Sequence, residues 1–216
     1  SGRDAQTSIQ SAQAEAVKSA ISYLERYAAF TRHGAAGVER DPVILHGGLI
    51  VAAYEHSTSR SGDPQLHTHC IIANATSDGR AIDLDTRHKM AAGALYRAEL
   101  AHQLQQRGFT IERDGDSFRV ADVPQKLAEH WSSRHAQIKQ AMAEKGLESY
   151  TASKVAVLNT RESKTDINRT ELFAKWQEEA RAFSFGPRLA RTRSEGQRMA
   201  SRRKGITRQG CRATSP

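Results

Sequence analysis

The sequence predicts an α+β fold: an antiparallel sheet that carries a cluster of three histidines, packed by helices and followed by a disordered basic tail. Three observations predict it. Two strand-like runs, 49–54 and 66–73, flank a connection at 57–65 that is rich in Ser, Gly, Asp and Pro, the residues of turns. Long stretches on either side repeat apolar residues at three- and four-residue spacing, the period of a helix. Beyond Gly186 both patterns cease and Arg, Ser and Gly dominate.

The elements follow in order. Residues 4–32 read as a helix, with Ile9, Ala12, Ala16, Ala20, Tyr23, Leu24 and Tyr27 on its apolar stripe and Asp4 as N-cap. That spacing assigns Tyr23 and Tyr27 to packing. His33 to Gly37 is a link, in which Gly ends the helix or Arg32 and His33 meet phosphate. Residues 38–42 form an edge segment. A strand over 46–56 leads into the turn-rich connection, and a second strand covers 66–75. Residues 77–80 make a tight turn before a third antiparallel strand, 81–84. A helix over 86–107 ends at Gly108. Residues 109–113 and 117–120 alternate around Asp114-Gly115-Asp116 and form a hairpin. Pro124 opens a helix to about residue 145, and two more helices cover 151–163 and 168–183.

Charge separates the folded part from the tail. The chain of 216 residues has a formal net charge of +8. Residues 187–216 hold eight Arg and one Lys against one Glu, so the first 186 residues are balanced. The expected organisation is therefore one domain over 1–186 and an Arg-rich tail over 187–216. The tail cannot bury enough apolar surface to offset its ordering entropy. Cys70 and Cys211 sit in unlike surroundings, which argues against a disulfide framework and suits a reducing cytoplasm. No apolar run reaches the length of a membrane span, no signal peptide opens the chain, and without an initiator Met it reads as a fragment or a processed product.

The chemistry concentrates between Tyr54 and His69. His67 and His69 are two apart on a predicted strand, so their rings share a face. A hairpin through 57–65 brings His56 beside them. A His-X-His pair alone is more often a surface feature. A third imidazole at the base of the same hairpin makes a metal-binding pattern, and three histidines with an open position suit catalysis more than structure. Asp63 either receives a ligand N–H or starts a turn with Pro64. Arg161 and Lys164 either complement a helix C-terminus or meet a phosphate backbone.

Thr58-Ser-Arg60-Ser-Gly-Asp63-Pro-Gln-Leu-His67-Thr-His69, ending at Asn74, closely resembles the three-histidine signature of MobF-type (TrwC-like) conjugative relaxases. These belong to the His-hydrophobic-His superfamily of single-strand endonucleases. The resemblance runs from about Gln6 to Gly186 and takes in Thr31-Arg32, residues 91–100 and Leu158 to Lys164. Thr68 replaces the hydrophobic middle residue, as is usual in this branch. The resemblance implies one divalent metal ion (Mg, Mn, Zn or Ni) held by His56, His67 and His69. It implies single-stranded DNA at a plasmid transfer origin as partner, with other conjugation proteins, and contacts to DNA from Arg60, Arg161 and Lys164. It implies a site- and strand-specific nickase in which a tyrosine attacks the scissile phosphate.

The sequence departs from that pattern at the nucleophile. The family's tyrosines lie at the extreme N-terminus, with a supporting Asp in a strand ahead of the first long helix. Tyr23, Tyr27, Tyr54, Tyr96 and Tyr150 do not match those positions. The expectation is a relaxase fragment with the metal half of the site and no covalent activity of its own. Two other readings stay open: a non-enzymatic nucleic-acid-binding protein with a vestigial histidine cluster and a working basic tail, and a three-histidine metallohydrolase with Glu55 or Asp63 as base. The family usually continues beyond this stretch into a helicase region; these residues contain no Gly-X-X-X-X-Gly-Lys-Ser/Thr phosphate loop.

Overall fold

The structure, a computed structural model, describes residues 2–33, 39–144 and 168–186. The helix expected over 151–163, Arg161, Lys164 and the basic tail lie outside them.

The fold is α+β. Helix α1 spans Gly2–Tyr27. Strands β1 (Ala29–His33), β2 (Glu39–Pro42), β3 (Val51–Thr58), β4 (Pro64–Ile72) and β5 (Ile82–Leu84) follow. Helix α2 spans Lys89–Gln106, β6 and β7 form the hairpin Ile111–Asp114 and Ser117–Val120, and among the described residues three helices follow: α3 (Gln125–His130), α4 (Ser133–Glu144) and α5 (Arg169–Ala182). The strands make a three-stranded sheet in the order β2-β1-β5 and two ribbons, β3-β4 and β6-β7, all antiparallel.

Several expectations change. The first helix stops at Tyr27, and Ala29–His33 forms the central strand of the three-stranded sheet. Ala28, Ala29 and Thr31 are almost wholly buried there. Their small and β-branched side chains fit a paired strand as well as a helix, and the two neighbouring strands decide between them. Asp4 lies in the first turn of α1 rather than at its cap. Tyr23 is half-buried and shares a 2.8 Å hydrogen bond with His88, whereas Tyr27 is 52% exposed on the last turn, its ring tilted against that of Tyr23 at 5.3 Å between centres.

The strand expected from residue 46 begins at Val51. Residues Val43–His46 form a 3-10 turn, and Gly47 and Gly48 both take left-handed φ, +87° and +80°. A Cβ on Gly47 would collide with Ser77 and one on Gly48 with the carboxylate of Glu25. That carboxylate accepts the Leu49 amide at 2.8 Å, so the two glycines let the chain turn over α1 before the ribbon starts. The third strand, β5, pairs with β1 in the other sheet; its link to the end of β4 is Ile82 N–H donating to Asn74 Oδ1 at 3.2 Å. The helix expected over 124–145 breaks at Trp131–Ser132 into α3 and α4. Asp63 causes the break: its carboxylate accepts from the amide and hydroxyl of Ser133 at 3.2 and 2.8 Å, a cap supplied from another segment.

Helix α1 packs along α2 through Ala12, Ala16 and Ala92, whose small side chains allow close approach. Helix α1 faces the back of the β3-β4 ribbon, with Gln10 bonded to Glu55 and Gln13 to Thr68. The closing helices sit on the loop that joins β3 to β4: Trp176 donates from its indole N–H to the carbonyl of Gly62 at 2.9 Å, and Trp131 donates to Glu179 at 2.8 Å. Leu127, Leu172 and Trp176 form the buried centre of that end. The histidine ribbon is thus held from two sides.

Candidate metal and DNA site

Alternation and register place the site. In the β3-β4 ribbon, His56 stands opposite His67 and Tyr54 opposite His69, with the pair Glu55/Thr68 between them. Side chains alternate across a strand, so Tyr54, His56, His67 and His69 share one face, and Glu55 and Thr68 point back toward α1. A register shift follows His56, where the strand leaves for the loop.

The three imidazoles gather there. Their ring centres lie 5.4 Å (His56–His67), 4.9 Å (His56–His69) and 5.0 Å (His67–His69) apart. An imidazole nitrogen sits about 2.0–2.1 Å from a zinc-like ion, so at tetrahedral angles two ring centres stand about 5.2 Å apart. The observed spacing matches that value. Among the described residues no group of three or more His, Cys, Asp or Glu has its donor atoms already set as in a formed metal site. The three ring centres are gathered at that spacing, while their nitrogens do not converge on one point as placed. His67 is already oriented: its Nδ1–H donates to the carbonyl of Gln65 at 3.1 Å, which leaves Nε2 as the donor atom for a cation. His56 and His69 are exposed and His67 half-buried, so the face is open to a ligand. The donor set, three imidazoles with space for further ligands, fits a divalent cation such as zinc, nickel or manganese.

The other expected residues separate. Asp63 is 9% exposed, and its carboxylate bonds Ser59 and Ser133 rather than an imidazole; of its two expected roles the structure shows the turn and cap. Arg60 lines a cleft of about 700 Å³ between the β3-β4 loop and helices α3 and α4, together with Trp131 and His135. Tyr54 was missed as a neighbour of the site. It is 53% exposed on the histidine face, across from His69, while Tyr23, Tyr27 and Tyr96 belong to helices. Its two-residue spacing from His56 was the available signal. Cys70, behind the ribbon, has its thiol pKa raised by burial and carries no ligand role here.

A second polar cluster lies in the β1-β2-β5 region. His33 bonds Glu39 at 3.1 Å and Asp41 at 3.0 Å, while His46 bonds Asp78 at 2.9 Å and Asp41 at 3.4 Å. Asp78 is held down to about 2 from 3.8, first by the hydroxyl of Thr76 and then by His46, and Asp41 is lowered mainly by His33. These contacts tie the 76–80 turn to β2.

A helix-backed antiparallel ribbon presenting three clustered imidazoles on an open face defines the class: an α+β protein with a three-histidine candidate site on an exposed ribbon. The comparisons give that class a family. The TrwC relaxase family matches residues 1–183, and the chain belongs to it. The Multifunctional conjugation protein TraI of Escherichia coli is 30% identical over 162 residues, which is 68% of this chain and 9% of that protein. The chain therefore spans about a tenth of the curated relatives it matches. A copper-bound structure of the conjugative relaxase TrwC in complex with OriT DNA has a TM-score of 0.76 and 33% identity, covering 83% of this chain and 64% of that one. TrwC bound to a 27-mer DNA comprising the recognition hairpin and the cleavage site gives 0.73 and 32%, over 82% and 66%.

Proposed function

We propose that this chain supplies the cation-binding and DNA-binding half of a conjugative relaxase, acting on a single strand at a plasmid transfer origin in the cytoplasm. The observation that carries the reading is the trio of imidazoles on one face of the β3-β4 ribbon, at metal-site spacing, in a member of the TrwC relaxase family. His56, His67 and His69 would hold one divalent ion. When bound, such an ion polarises a phosphodiester and offsets the charge that builds on its non-bridging oxygens. The remaining work falls to side chains. The imidazoles, being neutral ligands, leave the cation's full charge facing the strand. The open face admits an extended backbone. Arg60, at the mouth of the cleft beside the loop, would meet a phosphate, as would Arg161 and Lys164. Relatives solved with OriT DNA support that partner. Residues 1–186 would then form a partial relaxase domain, and 187–216 a separate basic tail.

Calorimetry tests the reading directly. The chain should bind one divalent ion per molecule, with manganese, zinc, nickel and magnesium tried in turn, and His67→Ala should lose that binding. No saturable binding by the parent chain would overturn it. We further propose that these 216 residues do not cleave DNA covalently. With an origin-bearing single strand and metal, no protein–DNA band should survive denaturing electrophoresis. A band that disappears in Tyr54→Phe would instead make Tyr54 the nucleophile.

A further inference from the structure

The β3-β4 ribbon is two-stranded, and among the described strands no third pairs with it. An isolated two-stranded ribbon is marginal in water, and its twist is easily changed. The spacing of the histidines must therefore be set by what the ribbon rests on. A cleft of about 290 Å³ opens between its back and α1, beside Val17, Ile21 and Cys70, so apolar packing there is incomplete.

A polar tether crosses the same layer. Gln13 of α1 is 3% exposed. Its side-chain carbonyl accepts from the hydroxyl of Tyr96 on α2 at 2.6 Å, and its amide donates to the hydroxyl of Thr68 at a longer 3.4 Å. Burial withholds water as an alternative partner, so the amide stays committed to these two groups. Burial also raises the Tyr96 pKa, which keeps the phenol protonated as a donor. Three residues earlier, on the same face of α1, Gln10 donates to Glu55 at 2.6 Å. Glu55 and Thr68 are cross-strand partners and form the rung between the two rungs that carry the imidazoles. Both strands are thus held from behind at the rung between the two that carry the imidazoles.

We infer that Gln13 is a positioning residue for the cation site: the Tyr96–Gln13–Thr68 tether fixes the spacing of the three imidazoles from the opposite face of the ribbon. A hydroxyl at position 68 is what this contact needs. Val would suit the strand equally, but only a hydroxyl accepts the buried amide. The inference rests on the metal-site reading above and adds to it residues that touch neither metal nor substrate.

The test uses the full chain with Gln13→Leu, Thr68→Val, Tyr96→Phe, Thr68→Ser and the double variant Gln13→Leu/Thr68→Val. Affinity for zinc is read by calorimetry and ligand geometry from the visible spectrum of bound cobalt. Gln13→Leu and Thr68→Val should each weaken zinc about tenfold to a hundredfold, the range for residues that orient metal ligands from outside. The cobalt bands should broaden, the melting temperature of the metal-free protein should move little, and Thr68→Ser should restore parent affinity. The double variant should be no worse than the worse single, because both remove the Gln13–Thr68 bond. Unchanged affinity, or losses that follow the melting temperature and add in the double, would overturn the inference. A parent chain that binds no metal defeats the metal-site reading instead. Amide hydrogen exchange at 67–69 in the metal-free proteins then decides the tether: faster exchange in Gln13→Leu supports it, and unchanged exchange sinks it.

Discussion

At the scale of single residues, Asp63 shows how one carboxylate takes over two tasks. It accepts from the hydroxyl of Ser59, which holds the loop between His56 and His67, and it starts α4 by accepting from Ser133. Removing a helix cap costs about 0.5–2 kcal/mol, and a buried one belongs at the upper end. Asp63→Ala should lower unfolding stability by about 2 kcal/mol in urea titration, and Asp63→Asn should recover most of it because the amide oxygen still accepts. Asp78 gives a pH signature. Its folded pKa, about 2, lies below the ordinary 3.8, so its contribution is complete above the ordinary value and disappears as pH falls toward the folded one. The 76–80 turn should loosen across that acidic window, visible as shifts of the Thr76 and Gly79 amide resonances, and Asp78→Asn should abolish the dependence. If the parent turn keeps its resonances through that window, the Thr76 and His46 contacts do not hold Asp78 as described.

At the scale of elements, the start of β3 depends on backbone freedom. Gly47 and Gly48 both sit at positive φ with a neighbour where a Cβ would go. Ala at either position meets strain and a clash, so each substitution should destabilise by more than about 1 kcal/mol. Gly79, also at positive φ but with open space around it, should suffer from the strain alone. A thermal series of the three Gly→Ala variants ranks them; equal losses at all three would refute the steric part. The same stretch shows what periodicity misses. Leu49 to Tyr54 reads as an unbroken strand, and nothing in its alternation reveals that Val43 is wholly buried in a 3-10 turn just ahead of it. Likewise the run through Ala28 and Ala29 continues the helical stripe of α1, and only its two strand neighbours make it β1.

At the scale of the whole molecule, charge and fold divide the work. The first 186 residues are electrically balanced, and the excess of +8 lies in residues 187–216. If the proposed site binds DNA through the ribbon and its cleft, removing 187–216 should reduce the salt dependence of origin-strand binding while preserving its preference for that sequence. Loss of all binding on removal would move the activity to the tail. Among the described residues no helix is long and apolar enough to cross a membrane.

The sequence by itself determined the α+β class, the β3-β4 hairpin, the β6-β7 hairpin and the three histidines. Each rests on short-range information: alternation, turn residues, and a spacing of two that puts His67 and His69 on one face. The order of strands, the break at Trp131 and the fate of Asp63 were decided by tertiary structure, because each depends on a partner distant in sequence. So was the tether through Gln13, since a glutamine on a helix carries no mark of the threonine and tyrosine that it meets 55 and 83 residues away. Local pattern records what a residue prefers; only the packed chain decides which buried polar group it must satisfy.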